Sequence, residues 1–186
     1  MPDDARFMNL AYQEALKAFD EGEVPVGAVV VKNGTIVGRG YNRMEKLADA
    51  TAHAEIIALG AASSSLGSWR LDECVLYVTL EPCLMCLGAI LQSRIQRIVY
   101  GAADSRLGAV DTYYYRQEAE RAYRRFPVTQ SGVMEQECRE LLGSFFESLR
   151  KKRGSSEDGE SRSEDGPQCS SGPVATSDEQ ANDELR

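Results

Sequence analysis

Two short segments of this 186-residue chain hold the residue types that can do chemistry. One is His53-Ala54-Glu55; the other is Glu81-Pro82-Cys83-Leu84-Met85-Cys86. Both read as helix openings. The stretch 52–65 follows Thr51, a candidate N-cap, and Pro82 suits the first position of a helix continued by Cys83–Gln92. Cys83 and Cys86, three apart, then share a helical face, so both sulfurs can reach one metal ion. A first turn also favours thiolate, because the positive end of the helix dipole lies there. Zinc takes Cys sulfur and His nitrogen, and a catalytic zinc site has three protein ligands and a fourth position open to water. His53 is the single histidine, so an imidazole ligand has no other source. Helical geometry turns Glu55 about 200° from His53. That is a poor place for a second ligand on the His53 face, but it lets Glu55 approach a water and a substrate from the side.

Taken singly, these pieces are weak. His-x-Glu is common on protein surfaces. Cys-x-x-Cys serves a structural zinc site, a redox pair behind a strand, or a core, and Cys74 and Cys138 could complete a four-cysteine site. The combination is far more specific. A His-x-Glu on one helix, followed some thirty residues later by Pro-Cys-x-x-Cys opening another helix after a strand, is the signature of zinc-dependent nucleobase deaminases.

Helical and strand patterns alternate around these segments. Residues 4–20 place Phe7, Leu10, Ala11, Ala15, Leu16 and Phe19 at helical spacing. Residues 25–31 form a buried-strand run, Asn33-Gly34 a hairpin turn, and Thr35–Tyr41 the returning strand. Strands follow at 74–79 and 97–101 and a short edge strand at 128–132, with helices at 113–125 and 135–152. A hairpin followed by β-α-β crossovers predicts an α/β fold with a mixed sheet and helices on both faces.

Composition narrows the classes. The length and an apolar content of 42% suit one soluble domain. No uncharged apolar run approaches the roughly 18–20 residues of a membrane helix. The start, MPDDARF, reads as no secretion signal. Five cysteines, an odd count without such a signal, argue against a disulfide framework and for a reducing, cytoplasmic setting. The net charge of −8 is unevenly spread: residues 154–186 hold nine acidic and two basic groups, residues 1–153 hold 20 and 19. The nearly neutral part is compatible with an RNA partner. The last 33 residues, rich in Ser, Gly, Asp and Glu and lacking aromatics, are expected to be a disordered acidic tail behind a domain at 1–153.

The chain resembles the cytidine/deoxycytidylate deaminase superfamily and, within it, the tRNA-specific adenosine deaminases of bacteria. The resemblance rests on EVPVGAVVV (23–31), GYNR (40–43), TAHAEIIAL (51–59), WRL (69–71) and LYVTLEPCLMC (76–86). It continues through GAI (88–90), SRI (93–95) and VYGA (99–102), and through Cys138, Leu141-Leu142 and Phe145-Phe146. It covers roughly residues 5–153. It implies a three-layer α/β/α fold on a five-stranded mixed sheet, with one zinc ion per subunit held by His53, Cys83 and Cys86. It further implies hydrolytic conversion of adenosine to inosine at the first anticodon position of tRNA. Glu55 is then the group that moves protons to the ring nitrogen and the leaving amine. Asn42 is expected to contact the nucleoside, the Ala54 backbone amide the base, Val24 and Pro25 the pocket wall, and Asp104 the RNA. Glu81 is either a helix-capping carboxylate or a support for a metal ligand.

An anticodon loop exposes its bases cheaply, which suits a pocket that must take a base out of its stack. Arg150, Lys151, Lys152 and Arg153, next to Phe145 and Phe146, suit RNA phosphates and bases; such a basic run is also usual at a helix C-terminus. The implied partners are a tRNA anticodon stem-loop and a second copy of the chain, with neither membrane nor DNA. Leu84, Met85, Leu87, Ile90 and Leu91 form a candidate apolar interface between copies.

The resemblance weakens over 108–127. An Asn-His pair common in the family is replaced by Arg124-Arg125-Phe126-Pro127, and Val110–Tyr115 departs from the family's small residues. Tyr113–Tyr115 with Arg116, Arg121, Arg124 and Arg125 offers a substitute surface for stacking and phosphate contact. Two other readings share these residues: a free-base or nucleotide deaminase acting on guanine or cytosine, and a non-catalytic RNA-binding subunit with structural zinc. Glu55, typically lost from inactive partners of the superfamily, speaks against the second.

Overall fold

The computed structural model describes residues 4–111, 115–123 and 125–157. The elements are α1 (Asp4–Asp20), β1 (Gly27–Lys32), β2 (Thr35–Tyr41), α2 (Met44–Leu47), α3 (Ala54–Leu66), β3 (Cys74–Leu80), α4 (Leu84–Ser93), β4 (Arg97–Ala102), α5 (Tyr115–Tyr123), β5 (Val128–Gln130) and α6 (Glu135–Glu157). They agree with the sequence pattern except for α2, which it missed. α6 also runs four residues past the expected boundary at Arg153, and residues 158–186 of the expected tail lie outside the described residues.

The five strands form one sheet in the order β2-β1-β3-β4-β5. β1 runs antiparallel to β2 and β3, and β3, β4 and β5 are parallel, as a hairpin followed by crossovers requires. Period-two alternation sends side chains to two cores. Val29, Val31, Tyr77 and Val99 meet Phe7, Met8 and Ala11 of α1. Ala28, Val30, Leu76, Val78, Ile98 and Tyr100 meet Ala54, Ala58 and Leu59 of α3 and Leu87 and Ile90 of α4. Burying a side chain such as Leu76 or Ile98 contributes roughly 1.5–3 kcal/mol, and these layers fix where the helix starts fall.

Two glycines set the approach of α3. A Cβ on Gly38 would stand 2.3 Å from the Ala58 carbonyl oxygen, and one on Gly40 2.4 Å from that of Ala54. The helix therefore lies directly on the backbone of β2, and its first turn is held in register with the end of that strand.

Candidate active site

The expected caps shift by a residue or two. Thr51 does not cap α3: its amide and hydroxyl both donate to Asp49 Oδ1, at 2.8 and 2.7 Å. His53 is the N-cap, with extended dihedrals of −73° and 153°. Pro82 does not open α4 either; Cys83 is its N-cap, at −73° and 173°. Neither residue caps with its side chain, so both side chains are available at the two helix starts.

His53 Nδ1 lies 3.7 Å from Cys83 Sγ and 3.5 Å from Cys86 Sγ, and the three ligand atoms lie within 4.8 Å of one another. A tetrahedral zinc with ordinary Zn–N and Zn–S bonds requires an N···S separation of about 3.6 Å. The spacing and the soft S₂N donor set therefore fit zinc. Among the described residues no other such group forms, and Cys74 and Cys138 are buried elsewhere. The hydrogen bond between the two thiols draws Cys83 down to about 4 and pushes Cys86 up, the latter aided by burial. His53 is raised, chiefly by its bond with Cys83.

Glu55 is buried, and its carboxyl is pushed up by loss of solvent. The helical angle of about 200° does not apply to the His53–Glu55 pair, because His53 stands outside the helix in extended backbone. Both residues, with Cys83, line one cavity of about 460 Å³, and Glu55 also contacts Cys86. A buried carboxyl beside a metal group, open to a cavity, is equipped to take and return a proton.

The cavity sits at one end of the sheet, beyond the carboxyl ends of β3 and β4, where parallel strands place their ligand crevice. Val24 lines it as expected; Pro25 is buried away from it and Val26 takes that place. Asn42 lines it while remaining 6% exposed. Ala54 contributes no side chain, since its methyl is in the core. Its amide is the first of α3, one of the donors a helix leaves unsatisfied at its start. Asp104 is at the rim, where Oδ1 accepts from the amides of Arg106 (2.8 Å) and Leu107 (3.1 Å), so its carboxylate shapes the loop.

Glu81 caps no helix. Buried to 2% exposure, it accepts from the amides of Asp104 (3.1 Å), Val110 (3.1 Å) and Asp111 (2.8 Å). It thereby ties the loop after β4 to the segment that carries Cys83. Glu23, Met44 and Leu142 were given no role in the sequence reading, and Phe146 was read only as an RNA-facing aromatic. Met44, Leu142 and Phe146 line the cavity. Glu23 is buried behind Asn42 and bonds it.

Of the candidate interface, Leu87 and Ile90 belong to the core, whereas Leu84 and Met85 are exposed. Phe145 packs on Phe19 and Phe146, and Arg150, Lys151 and Lys152 are exposed near the end of α6. In the divergent segment, Arg125 pairs with Asp72 at 3.4 Å and Phe126 packs on the core. Tyr113, Tyr114, Arg124 and the side chains of Tyr115 and Arg116 lie outside the described residues.

Residues 1–102 match the family model described as the cytidine and deoxycytidylate deaminase zinc-binding region. A tRNA-specific adenosine deaminase of Bacillus subtilis (strain 168) is 44% identical over 153 residues, covering 82% of this chain and 94% of that protein. One of Haemophilus influenzae (strain ATCC 51907 / DSM 11121 / KW20 / Rd) is 43% identical over 151 residues, 81% of this chain and 87% of that protein. A structure solved in a study of A-to-I editing by tRNA:A34 deaminases at the wobble position of transfer RNA superposes with a TM-score of 0.70. It is 44% identical and covers 73% of this chain and 98% of that one. The zinc-compatible triad, the buried Glu55 beside it and these similarities agree, and the chain belongs to the cytidine and deoxycytidylate deaminase family.

Proposed function

We propose that this protein is a zinc-dependent hydrolase that converts adenosine to inosine in tRNA, at the first anticodon position. The observation that carries the chemistry is the placement of buried Glu55 in one cavity with His53 and Cys83, beside the group these two form with Cys86. The substrate class is supported by the 44% identity to a tRNA-specific adenosine deaminase, which extends over 94% of that protein.

Zinc at such a centre activates a water molecule as the nucleophile. Deamination adds water at C6 of adenine and releases ammonia. Glu55 takes the water's proton at a carboxylate oxygen and gives it to the ring nitrogen, then takes the proton of the new C6 hydroxyl and gives it to the amine, which departs as ammonia as the C6 carbonyl forms. The first amide of α3, at Ala54, offers a donor to the base. Val24 and Val26 give the base an apolar wall, and Asn42 meets the sugar. The rim loop from Ala103 to Leu107, with Asp104 shaping it, faces the rest of the RNA. Arg150, Lys151 and Lys152 supply cations for phosphates.

We further read residues 1–153 as the deaminase domain, with an acidic appendage behind it. The protein is proposed to act as a homodimer in the cytoplasm. Exposed Leu84 and Met85 and the exposed Trp69 nearby in the chain favour a contact between copies.

The test is inosine formation in an anticodon stem-loop RNA with adenosine at the first anticodon position. A Glu55→Ala protein with its zinc content measured runs alongside. Inosine from the wild type alone is expected. No inosine from a zinc-loaded wild type would move the substrate to free bases or nucleotides.

A further inference from the structure

Glu23 is 2% exposed, and no part of the chemistry above uses it. Its carboxyl group takes three donors. Oε1 accepts from the Lys46 amide at 2.7 Å; Oε2 accepts from the Glu45 amide and from Asn42 Nδ2, each at 3.3 Å. The two amides belong to the first turn of α2, whose own N-cap, Arg43, makes no side-chain cap. Glu23 therefore caps α2 from outside the helix, and that helix begins with Met44 in the cavity wall.

The third bond fixes the amide of Asn42. Turning that amide over would set its oxygen against a carboxyl oxygen, so Nδ2 stays on Glu23. Among the described residues Oδ1 of Asn42 accepts no hydrogen bond. No described side-chain oxygen is both sealed and unpaired, so Oδ1 opens on the cavity that Asn42 lines.

We propose that Glu23 is a positioning residue for substrate: by holding Asn42 Nδ2 it presents Asn42 Oδ1 to the cavity as an acceptor for a hydroxyl of the substrate's sugar. A free base has no such hydroxyl, so this acceptor favours a nucleoside unit over a free base. The inference rests on the nucleoside reading of the site given above.

Exchange of donors and acceptors between positions 23 and 42 tests it. Glu23→Ala removes the acceptor that holds Nδ2, and the Asn42 amide is then free to turn and offer Nδ2 in place of Oδ1. We expect KM for the stem-loop to rise about tenfold with kcat little changed, the loss of one hydrogen bond made equally before and during reaction. Asn42→Asp alone sets two carboxyl groups together and is expected to lose more. Adding Glu23→Gln to Asn42→Asp restores a donor-acceptor pair and an oxygen facing the cavity, and is expected to recover most of the KM. Zinc content and the melting temperature are followed for all proteins. If Glu23→Ala alone does not fold, comparison of Asn42→Asp with the double variant suffices. A double variant no better than Asn42→Asp in KM, or recovery of melting temperature without recovery of KM, overturns the positioning role. Failure of the wild type to act on the stem-loop overturns the reading beneath it instead.

Discussion

His53 and Cys83 occupy equivalent positions in two helices: each is an N-cap, of α3 and α4, and Nδ1 of one stands 3.7 Å from Sγ of the other. The centre is therefore a junction between two helix starts, with Cys86 one turn into α4. Two partial positive charges face an S₂N donor set, which stabilises thiolate. The sheet carries both helices, so the junction forms with the fold.

Removing a ligand at this junction should remove the metal before it removes the fold. His53→Ala and Cys83→Ala are expected to purify without zinc and without detectable deaminase activity, while retaining the far-ultraviolet dichroism of the wild type. In the wild type, chelation should lower the melting temperature. Zinc at about a hundredfold over its dissociation constant is linked to about 2.7 kcal/mol of stability. Elemental analysis with thermal melts checks this, and full zinc content in His53→Ala would remove His53 from the ligand set.

Glu81 should act on stability and on substrate affinity together. Its carboxyl accepts three backbone amides from the segment 104–111, and a Cβ at Gly108 would stand 2.4 Å from Oε2, so the loop backbone lies directly on it. Glu81→Ala leaves those amides without their acceptor and should cost about 2–4 kcal/mol, read from urea unfolding. The rim between Ala103 and Leu107 loses its anchor, so KM should rise. Unchanged stability would mean the loop is held by its other contacts.

What was legible in the sequence follows from how far each signal reaches. The strands were legible as short apolar runs closed by turn residues, a local signal: residues 25–31 are apolar throughout because Ala28 and Val30 face one core and Val29 and Val31 the other. The metal triad was legible because few residue types bind zinc and the chain has one histidine. α2 was not, because four residues repeat no period and its cap comes from Glu23, some twenty positions earlier. Glu81 was read with the helix beside it because its partners are amides of Asp104, Val110 and Asp111, whose side chains say nothing about it. Thr51 attracted the N-cap assignment by residue type, whereas Asp49 already engages its side chain. Leu87 and Ile90 show the same limit: an apolar helix face does not say whether it meets a partner or its own sheet.

Acid should release one tie between the layers. Arg97 grips Asp4 with two bonds of 2.8 Å and Tyr77 donates a third, joining the start of α1 to β3 and β4. The bond to Arg97 holds the Asp4 carboxyl below the usual carboxylate range. The folded protein therefore takes up this proton less readily than the unfolded chain. The stabilisation is complete above about pH 4 and is lost as pH falls through the lower, folded value. Asp4→Asn should lower stability by about 1–3 kcal/mol at pH 7, and the gap should narrow towards pH 2.5. Urea midpoints at both pH values check it; a gap that does not change with pH would show that Asp4 acts through packing instead.

Removing residues 158–186 should leave catalysis intact. The cut keeps α6 whole, with Leu142 and Phe146 in the cavity wall and Arg150, Lys151 and Lys152 beyond them. It removes eight acidic and two basic residues. A segment of that charge repels RNA, so its loss cannot weaken phosphate contact by electrostatics and should strengthen it slightly at low salt. Turnover on the stem-loop is expected to stay within about twofold of the full chain, with any gain in affinity fading as salt screens the charge. A large fall in turnover would show that the acidic segment reaches the site and acts there, since the described residues that line the cavity all lie before the cut.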